Sequence, residues 1–180
     1  MAHVYPLFQP YDWAHRADAP HLRPGGDARN APIIAFAIDI PDSPEPEIVR
    51  HGTPEAADLW QLWAEAKANL SALDYEWDVT IDGGLAVASC AGHDYSAEKV
   101  LDTAALDEAR RLLGVRRMLV AVPRRTCLYA VREDLTRPQR AAFEQVVKRV
   151  YHHDPAANMR IAPGAFIVDG DQITGYTAVG

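Results

Sequence analysis

The chain has 180 residues, of which 48% are hydrophobic and 24% charged, and its formal net charge is −7. This length suits one compact domain, and the composition excludes a chain that is disordered throughout. The acidic total argues against a protein that coats nucleic acid by neutralising phosphates, so nucleic acid is a disfavoured partner.

The N-terminal region and the cysteines indicate the compartment. Residues 1–20 hold prolines and acidic residues but no apolar signal core, and no run reaches the roughly 18–20 apolar residues of a membrane span. Cys90 and Cys127 each lie in an apolar, strand-like run, which favours buried free thiols over a disulfide between the two strands. The sequence therefore predicts a cytoplasmic protein without membrane contact.

The domain organisation follows from the first forty residues. Residues 1–30 are rich in Pro, His and Asp, and they predict an extended arm held to the surface by apolar side chains such as Tyr5 and Phe8. Residues 32–40 form a near-continuous apolar run that predicts a buried central strand. We therefore expect an N-terminal arm at 1–30 and a single domain at 31–180.

Three later segments have the periodicity and capping residues of helices. Thr53 and Pro54 predict a helix start, followed by an apolar stripe that extends to Leu73. Ser96 predicts the cap of a helix over 97–113, and Gly114 suits its C-terminal end. Thr136-Arg-Pro-Gln139 has the spacing of a capping box before a helix that ends near residue 151.

Three pairs of strand-like runs, each joined by a turn, predict hairpins. The pairs are 77–82 with 85–90, 115–122 with 126–131, and 165–169 with 173–179. Hairpins that alternate with helices indicate an α+β fold rather than a doubly wound parallel sheet. We expect a mainly antiparallel sheet of three hairpins plus one central strand, with about three helices packed on it.

Charge is unevenly distributed along the chain. Residues 110–149 hold eleven of the 18 Lys and Arg but three of the 25 Asp and Glu, a net charge of +8, which leaves −15 for the rest. A basic surface of this kind binds anions or acidic partners, whereas the alternative is a set of ordinary surface ion pairs. The candidate binding residues are Arg116, Arg117, Arg124, Arg125 and Arg132.

Arg124 and Arg125 follow a proline in the second predicted hairpin. Two guanidinium groups in a tight turn can bind one carboxylate or phosphate together. The alternative is a solvated hairpin tip that discourages pairing with another strand.

A second group of polar residues consists of His93 and Asp94 with His152, His153 and Asp154. Imidazoles and carboxylates are ligands for metals and also acid–base groups, so these residues form an alternative polar site. No second His or Cys pair stands at a diagnostic spacing, and no nucleophile elbow or phosphate loop is present in the sequence. We therefore predict no metal, no cofactor and no catalytic residue.

These observations favour a non-catalytic binding or regulatory domain that recognises an acidic protein partner or a small anionic ligand through its arginines. Two alternatives stay open: a small metal- or histidine-dependent hydrolase or transferase, and a nucleic-acid-binding protein.

Residues 66–179 carry several motifs in a shared order that resembles a known bacterial family. The motifs are Ala66-x-x-Asn-Leu70, His93-Asp-Tyr-Ser96 with the following Ala97–Leu101, Leu119-Val-Ala-Val-Pro123, and the closing hairpin. Together they resemble the C-terminal part of the family catalogued as domain of unknown function 1444. The chain lacks the long N-terminal region of larger members, and Arg124-Arg125 replaces a more mixed polar pair. The resemblance implies no reaction, but it suggests that Asn69 ties a helix to a strand through backbone hydrogen bonds.

Overall fold

The computed structural model describes residues 3–24, 26, 28, 30–40, 46–153 and 159–178. In this part of the chain the regular elements are nine strands and three α-helices. The strands are β1 (His3–Gln9), β2 (Ile33–Asp39), β3 (Glu47–Ile48), β4 (Asp78–Asp82), β5 (Leu85–Ala91), β6 (Arg117–Arg124), β7 (Cys127–Arg132), β8 (Gly164–Asp169) and β9 (Gln172–Ala178). The helices are α1 (Leu59–Ser71), α2 (Thr103–Leu113) and α3 (Arg137–His153), and two short 3₁₀ turns cover Pro54–Ala56 and Ala97–Leu101.

The strands form two antiparallel sheets, which confirms the α+β class and the three helices. Sheet A has the order β1-β2-β3, and sheet B has the order β4-β5-β7-β6-β8-β9. The three predicted hairpins are all present and together make up sheet B. The predicted central strand is β2, and here the prediction was wrong in detail. It is the centre of sheet A and not a member of the hairpin sheet, because β1 and β3 supply its two neighbours.

Part of the predicted arm belongs to sheet A. Residues 3–9 form β1, which pairs with β2 over its whole length, and its side chains from Val4 to Gln9 are buried. Proline has no backbone N–H, and Pro6 is tolerated because β1 is an edge strand, where this lack removes no hydrogen bond between strands. The Asn69 side-chain amide donates to the Val4 carbonyl at 2.9 Å, which confirms that Asn69 ties α1 to a strand.

Two helices begin later than the sequence indicates. The residues after Thr53 form only a 3₁₀ turn, and the cap of α1 is Asp58, whose carboxylate accepts the backbone N–H groups of Trp60 and Gln61. Ser96 likewise precedes a 3₁₀ turn, and Asp102 caps α2. In both cases a carboxylate a few residues downstream satisfies the free N–H groups of the first helical turn.

The core lies on both faces of sheet B. Met118, Val120 and Val122 of β6 pack with side chains of sheet A and α2, whereas Leu119 and Ala121 pack with side chains of α3. Burial on both faces explains why this strand is apolar at consecutive positions rather than at every second one.

The two cysteines are buried on opposite faces of sheet B, and they are not joined in a disulfide. Leu128 pairs with Cys90, and Ala91 pairs with Cys127. Directly paired residues share a face and successive residues alternate, so the two thiols point away from one another. This arrangement precludes a disulfide between the two strands.

Candidate functional site

Arg116 and Arg117 lie where β6 begins, and both are engaged by carboxylates. Arg116 Nε donates to Asp169 at 2.8 Å, although its side chain is 81% exposed. Arg117 Nε is 2.9 Å from the Glu133 carboxylate and 3.8 Å from that of Asp169. These pairs are exposed to solvent, so an incoming anion can exchange with them at little cost.

Arg132 lies at the same end of sheet B, because β7 places it opposite Met118, the second residue of β6. Its guanidinium binds both carboxylate oxygens of Asp134 and thereby holds the pKa of Asp134 below its usual value. The structure thus places Arg116, Arg117 and Arg132 at one end of sheet B, where Arg116 and Arg117 share Asp169 and Arg132 pairs with Asp134.

Arg124 and Arg125 lie at the opposite end of β6. Seven residue steps separate Arg117 from Arg124, about 23 Å at roughly 3.3 Å per step. Arg124 is buried and donates to the carbonyls of Val150 and Tyr151 at 2.7 and 2.8 Å, so it caps the C-terminal end of α3. In the structure, Arg124 therefore stabilises the end of α3 and does not have the predicted role of binding one ligand together with Arg125.

An open cleft lies beside the first group of arginines. It has a volume of about 630 Å³ and is lined by Asp107, Arg110, Arg111, Gly114, Val115 and Arg116. Asp107 pairs with Arg110, whereas Arg111 is exposed and forms no ion pair with a described carboxylate.

We call Arg110, Arg111, Arg116, Arg117 and Arg132 the arginine end. Arg110 and Arg111 were not among the predicted site residues, because their position in the last turn of a helix is explained by the helix dipole.

The predicted polar site is divided between two places. His93 and Asp94 follow β5, whereas His152 and His153 end α3, and Asp154 lies outside the described residues. His93 makes no hydrogen bond or ring contact with either α3 histidine within the described chain. No three His, Cys, Asp or Glu side chains there come together in a way that could hold a metal ion.

His93 does line a cavity, which we call the tyrosine cavity. Its volume is about 490 Å³, and its walls are Asp74, Tyr75, Glu76, Cys90, Ala91, Gly92, His93, Tyr95, Ser96 and Lys99. The His93 ring accepts the Tyr95 N–H through Nδ1 at 3.1 Å, which places the proton of the neutral ring on Nε2. The His93 N–H donates in turn to the Ser96 hydroxyl at 3.1 Å. These bonds fix the loop between β5 and the second 3₁₀ turn.

Lys99 is buried beneath this cavity and has three acceptors. Its Nζ donates to the carbonyls of Leu70 and Leu73, at 2.7 and 2.9 Å, and to the Asp102 carboxylate at 3.1 Å. It also stands 4.4 Å from the centre of the Tyr75 ring. Lys99 therefore caps the end of α1, and Asp102 is both its counter-ion and the cap of α2.

The spacing Ser96-x-x-Lys99 occurs in serine acyltransferases, where the two side chains cooperate in nucleophilic attack. Here the three N–H groups of Lys99 are occupied, so its amine is not a base for Ser96. Cys90 is no better as a nucleophile, because burial raises the pKa of its thiol despite a hydrogen bond with Ser96 and the nearby ammonium.

Glu98 is a carboxyl group whose pKa burial raises strongly. Its side chain is fully buried, Oε1 accepts the Phe8 N–H at 2.7 Å, and Oε2 has no protein partner. Burial raises the pKa of Glu98 to about 7, against the opposing effects of Arg125 and the Phe8 N–H. The sequence does not indicate that Glu98 is buried, since adjacent acidic and basic residues such as Glu98 and Lys99 usually lie at a solvated surface.

Comparison of the chain with protein-family models, with curated proteins and with solved structures finds no match. The resemblance of residues 66–179 to the family named above therefore stays a prediction. Within the described residues, no helix combines the length and apolar character needed to cross a bilayer.

Proposed function

We propose that this protein is a non-catalytic binding domain and that its arginine end recognises carboxylate or phosphate groups of an acidic protein or a small anion. The observation that carries the proposal is the cleft beside Arg116, whose lining has three arginines and a single acid. Guanidinium groups donate paired hydrogen bonds to carboxylates and phosphates, so they suit this recognition.

The charge balance supports this choice of site. Four carboxylates, those of Asp107, Glu133, Asp134 and Asp169, form ion pairs with four of the five guanidinium groups of the arginine end. Because Arg111 is unpaired among these acids and Arg116 is largely exposed, two cations are accessible to a ligand. Arg124 does not belong to the proposed surface, since it caps α3.

Binding is favoured over catalysis because the candidate nucleophiles are held inactive. Lys99 is fully hydrogen-bonded, and the Cys90 thiol has a raised pKa. The histidines that a hydrolase or transferase would use do not meet among the described residues, so we do not extend the proposal to a reaction.

The experiment is a titration with two probes, an oligoglutamate peptide and inorganic pyrophosphate, at low and at physiological ionic strength. We expect salt-sensitive binding of at least one probe that is weakened at least about tenfold in Arg111→Glu/Arg116→Glu, because each lost charge-assisted contact is worth about 1.5–3 kcal/mol. The matched control is Arg137→Glu/Arg149→Glu, which makes the same charge change at two exposed positions of α3.

Equal weakening in both double variants would show that total charge, and not the cleft, governs binding. Binding of neither probe would overturn the proposal, and so would a preference for single-stranded DNA over both probes.

A further inference from the structure

The tyrosine cavity is independent of the arginine end and has the opposite charge. Asp74 and Glu76 lie on its rim with exposed side chains, and neither forms an ion pair with a described residue. Both come from the segment between α1 and β4, outside the basic part of the sequence.

The single lysine of the cavity does not offset these two acids. Lys99 is 2% exposed, and its charge is balanced by Asp102, 3.1 Å away, and by the carbonyls of Leu70 and Leu73 at the end of α1. Its three N–H groups are all engaged, so it has no donor left for an anionic ligand. The cavity therefore offers a ligand two exposed carboxylates that form no ion pair with a described residue.

The walls between rim and floor are aromatic. Tyr75 contributes a half-buried phenol ring that the Lys99 ammonium contacts on one side. Tyr95 contributes a buried ring that stacks on Tyr5 and lies 6.0 Å from the His93 imidazole. The floor includes the buried polar groups of Cys90 and Ser96. Aromatic faces beside carboxylates attract cations that have an apolar body, through cation–π and apolar contact together with charge.

We propose that the tyrosine cavity binds a small organic cation, a primary amine or guanidinium group carried on an apolar or aromatic body. The volume of about 490 Å³ is in the range of small-molecule sites, roughly 300–1,000 Å³. A bare metal ion does not fit this description, because the described residues hold no cluster of three metal-ligating side chains.

The probes that test the proposal are benzylamine, benzoate and benzyl alcohol, which share a ring and differ in charge. Binding is followed by the amide NMR signals of the protein. We expect benzylamine to shift the signals of Gly92, His93 and Ser96 in a saturable manner, whereas benzoate leaves them unchanged and benzyl alcohol binds more weakly. Benzoate binding as strong as that of benzylamine, or benzylamine shifts confined to other residues, would overturn the proposal.

The variant that tests the carboxylates is Asp74→Asn/Glu76→Gln, which keeps the shape of the rim. We expect its affinity for benzylamine to fall at least about tenfold. The matched control is Glu55→Gln/Glu65→Gln, which makes the same charge change at exposed positions that do not line this cavity. Equal affinities in the two variants would refute the role of the rim.

The proposed function is tested separately. Arg111→Glu/Arg116→Glu should bind benzylamine as the unsubstituted protein does, since neither arginine lines the tyrosine cavity. The two proposals can therefore fail independently.

Discussion

Replacement of Glu98 by glutamine should change how the stability of this protein depends on pH. Glu98→Gln keeps the shape of the side chain and an oxygen that accepts the Phe8 N–H. It removes only the ability to ionise. Any change in the pH profile of unfolding therefore reports on the buried carboxyl group.

The magnitude follows from the pKa of Glu98, which rises from 4.5 to about 7 on folding. The folded state binds the proton more tightly than the unfolded state, so stability falls as pH rises between these values. The stabilising contribution of the protonated carboxyl is fully present below pH 4.5 and is lost as the pH rises through about 7. Since one pKa unit corresponds to about 1.36 kcal/mol, the total loss is about 3 kcal/mol.

The assay is urea unfolding, followed by tryptophan fluorescence, at a series of pH values from below 4.5 to above 7. The free energy of unfolding of Glu98→Gln minus that of the unsubstituted protein should rise by about 3 kcal/mol across this range. Glu65→Gln, at an exposed position of α1, is the control and should give a nearly constant difference.

A constant difference for Glu98→Gln would refute the reasoning. It would mean that water or another group solvates the Oε2 atom, which has no protein partner in the structure. If the difference in the free energy of unfolding instead decreased as the pH rises, the effect of Arg125 would outweigh that of burial, and the carboxylate would be the stable form of Glu98.

Three further substitutions test the structural roles assigned above. Lys99→Met should lower the free energy of unfolding by about 3–5 kcal/mol, because it leaves the buried Asp102 carboxylate without its cation, and urea unfolding measures the loss. Arg124→Met should increase amide hydrogen exchange in the last turn of α3 and cost about 1.5–3 kcal/mol, and a loss confined to other helices would contradict its capping role. Gly164→Ala should destabilise the protein, because the added Cβ would collide with the Tyr176 hydroxyl and ring; a melting temperature equal to that of the unsubstituted protein would refute this contact.

The local parts of the fold were predictable, and the pairing of distant segments was not. The hairpin at Gly83-Gly84 is encoded by adjacent residues, and the positive φ angles of both glycines suit its turn. In contrast, 23 residues separate β1 from β2, and the two strands meet through contacts that no turn residue specifies. An apolar run predicts that a strand is buried, but not which sheet it joins.

The burial of charged side chains near the candidate sites was likewise not predictable from the local sequence. Adjacent acidic and basic residues usually indicate a solvated surface, yet Glu98 and Lys99 are both buried. The 3₁₀ turn directs Glu98 to the edge of β1 and Lys99 to the end of α1, where each meets backbone groups that need a partner. Only the tertiary arrangement of these free backbone groups explains why the two charges are inside.

The uneven distribution of charge along the sequence appears in the structure as a cleft lined by arginines and a separate cavity with acidic residues on its rim, and not as one basic face. Within the basic segment, β6 carries Arg117 and Arg124 to opposite ends of a sheet, and the helix caps and ion pairs use much of the charge. The rest of the segment includes a cleft lined by three arginines. The acidic remainder supplies Asp74 and Glu76 to a cavity of opposite sign. If both proposals hold, added salt should weaken the binding of benzylamine and of whichever anionic probe binds the arginine end. Arg111→Glu/Arg116→Glu should then affect only the anionic probe, and Asp74→Asn/Glu76→Gln only benzylamine.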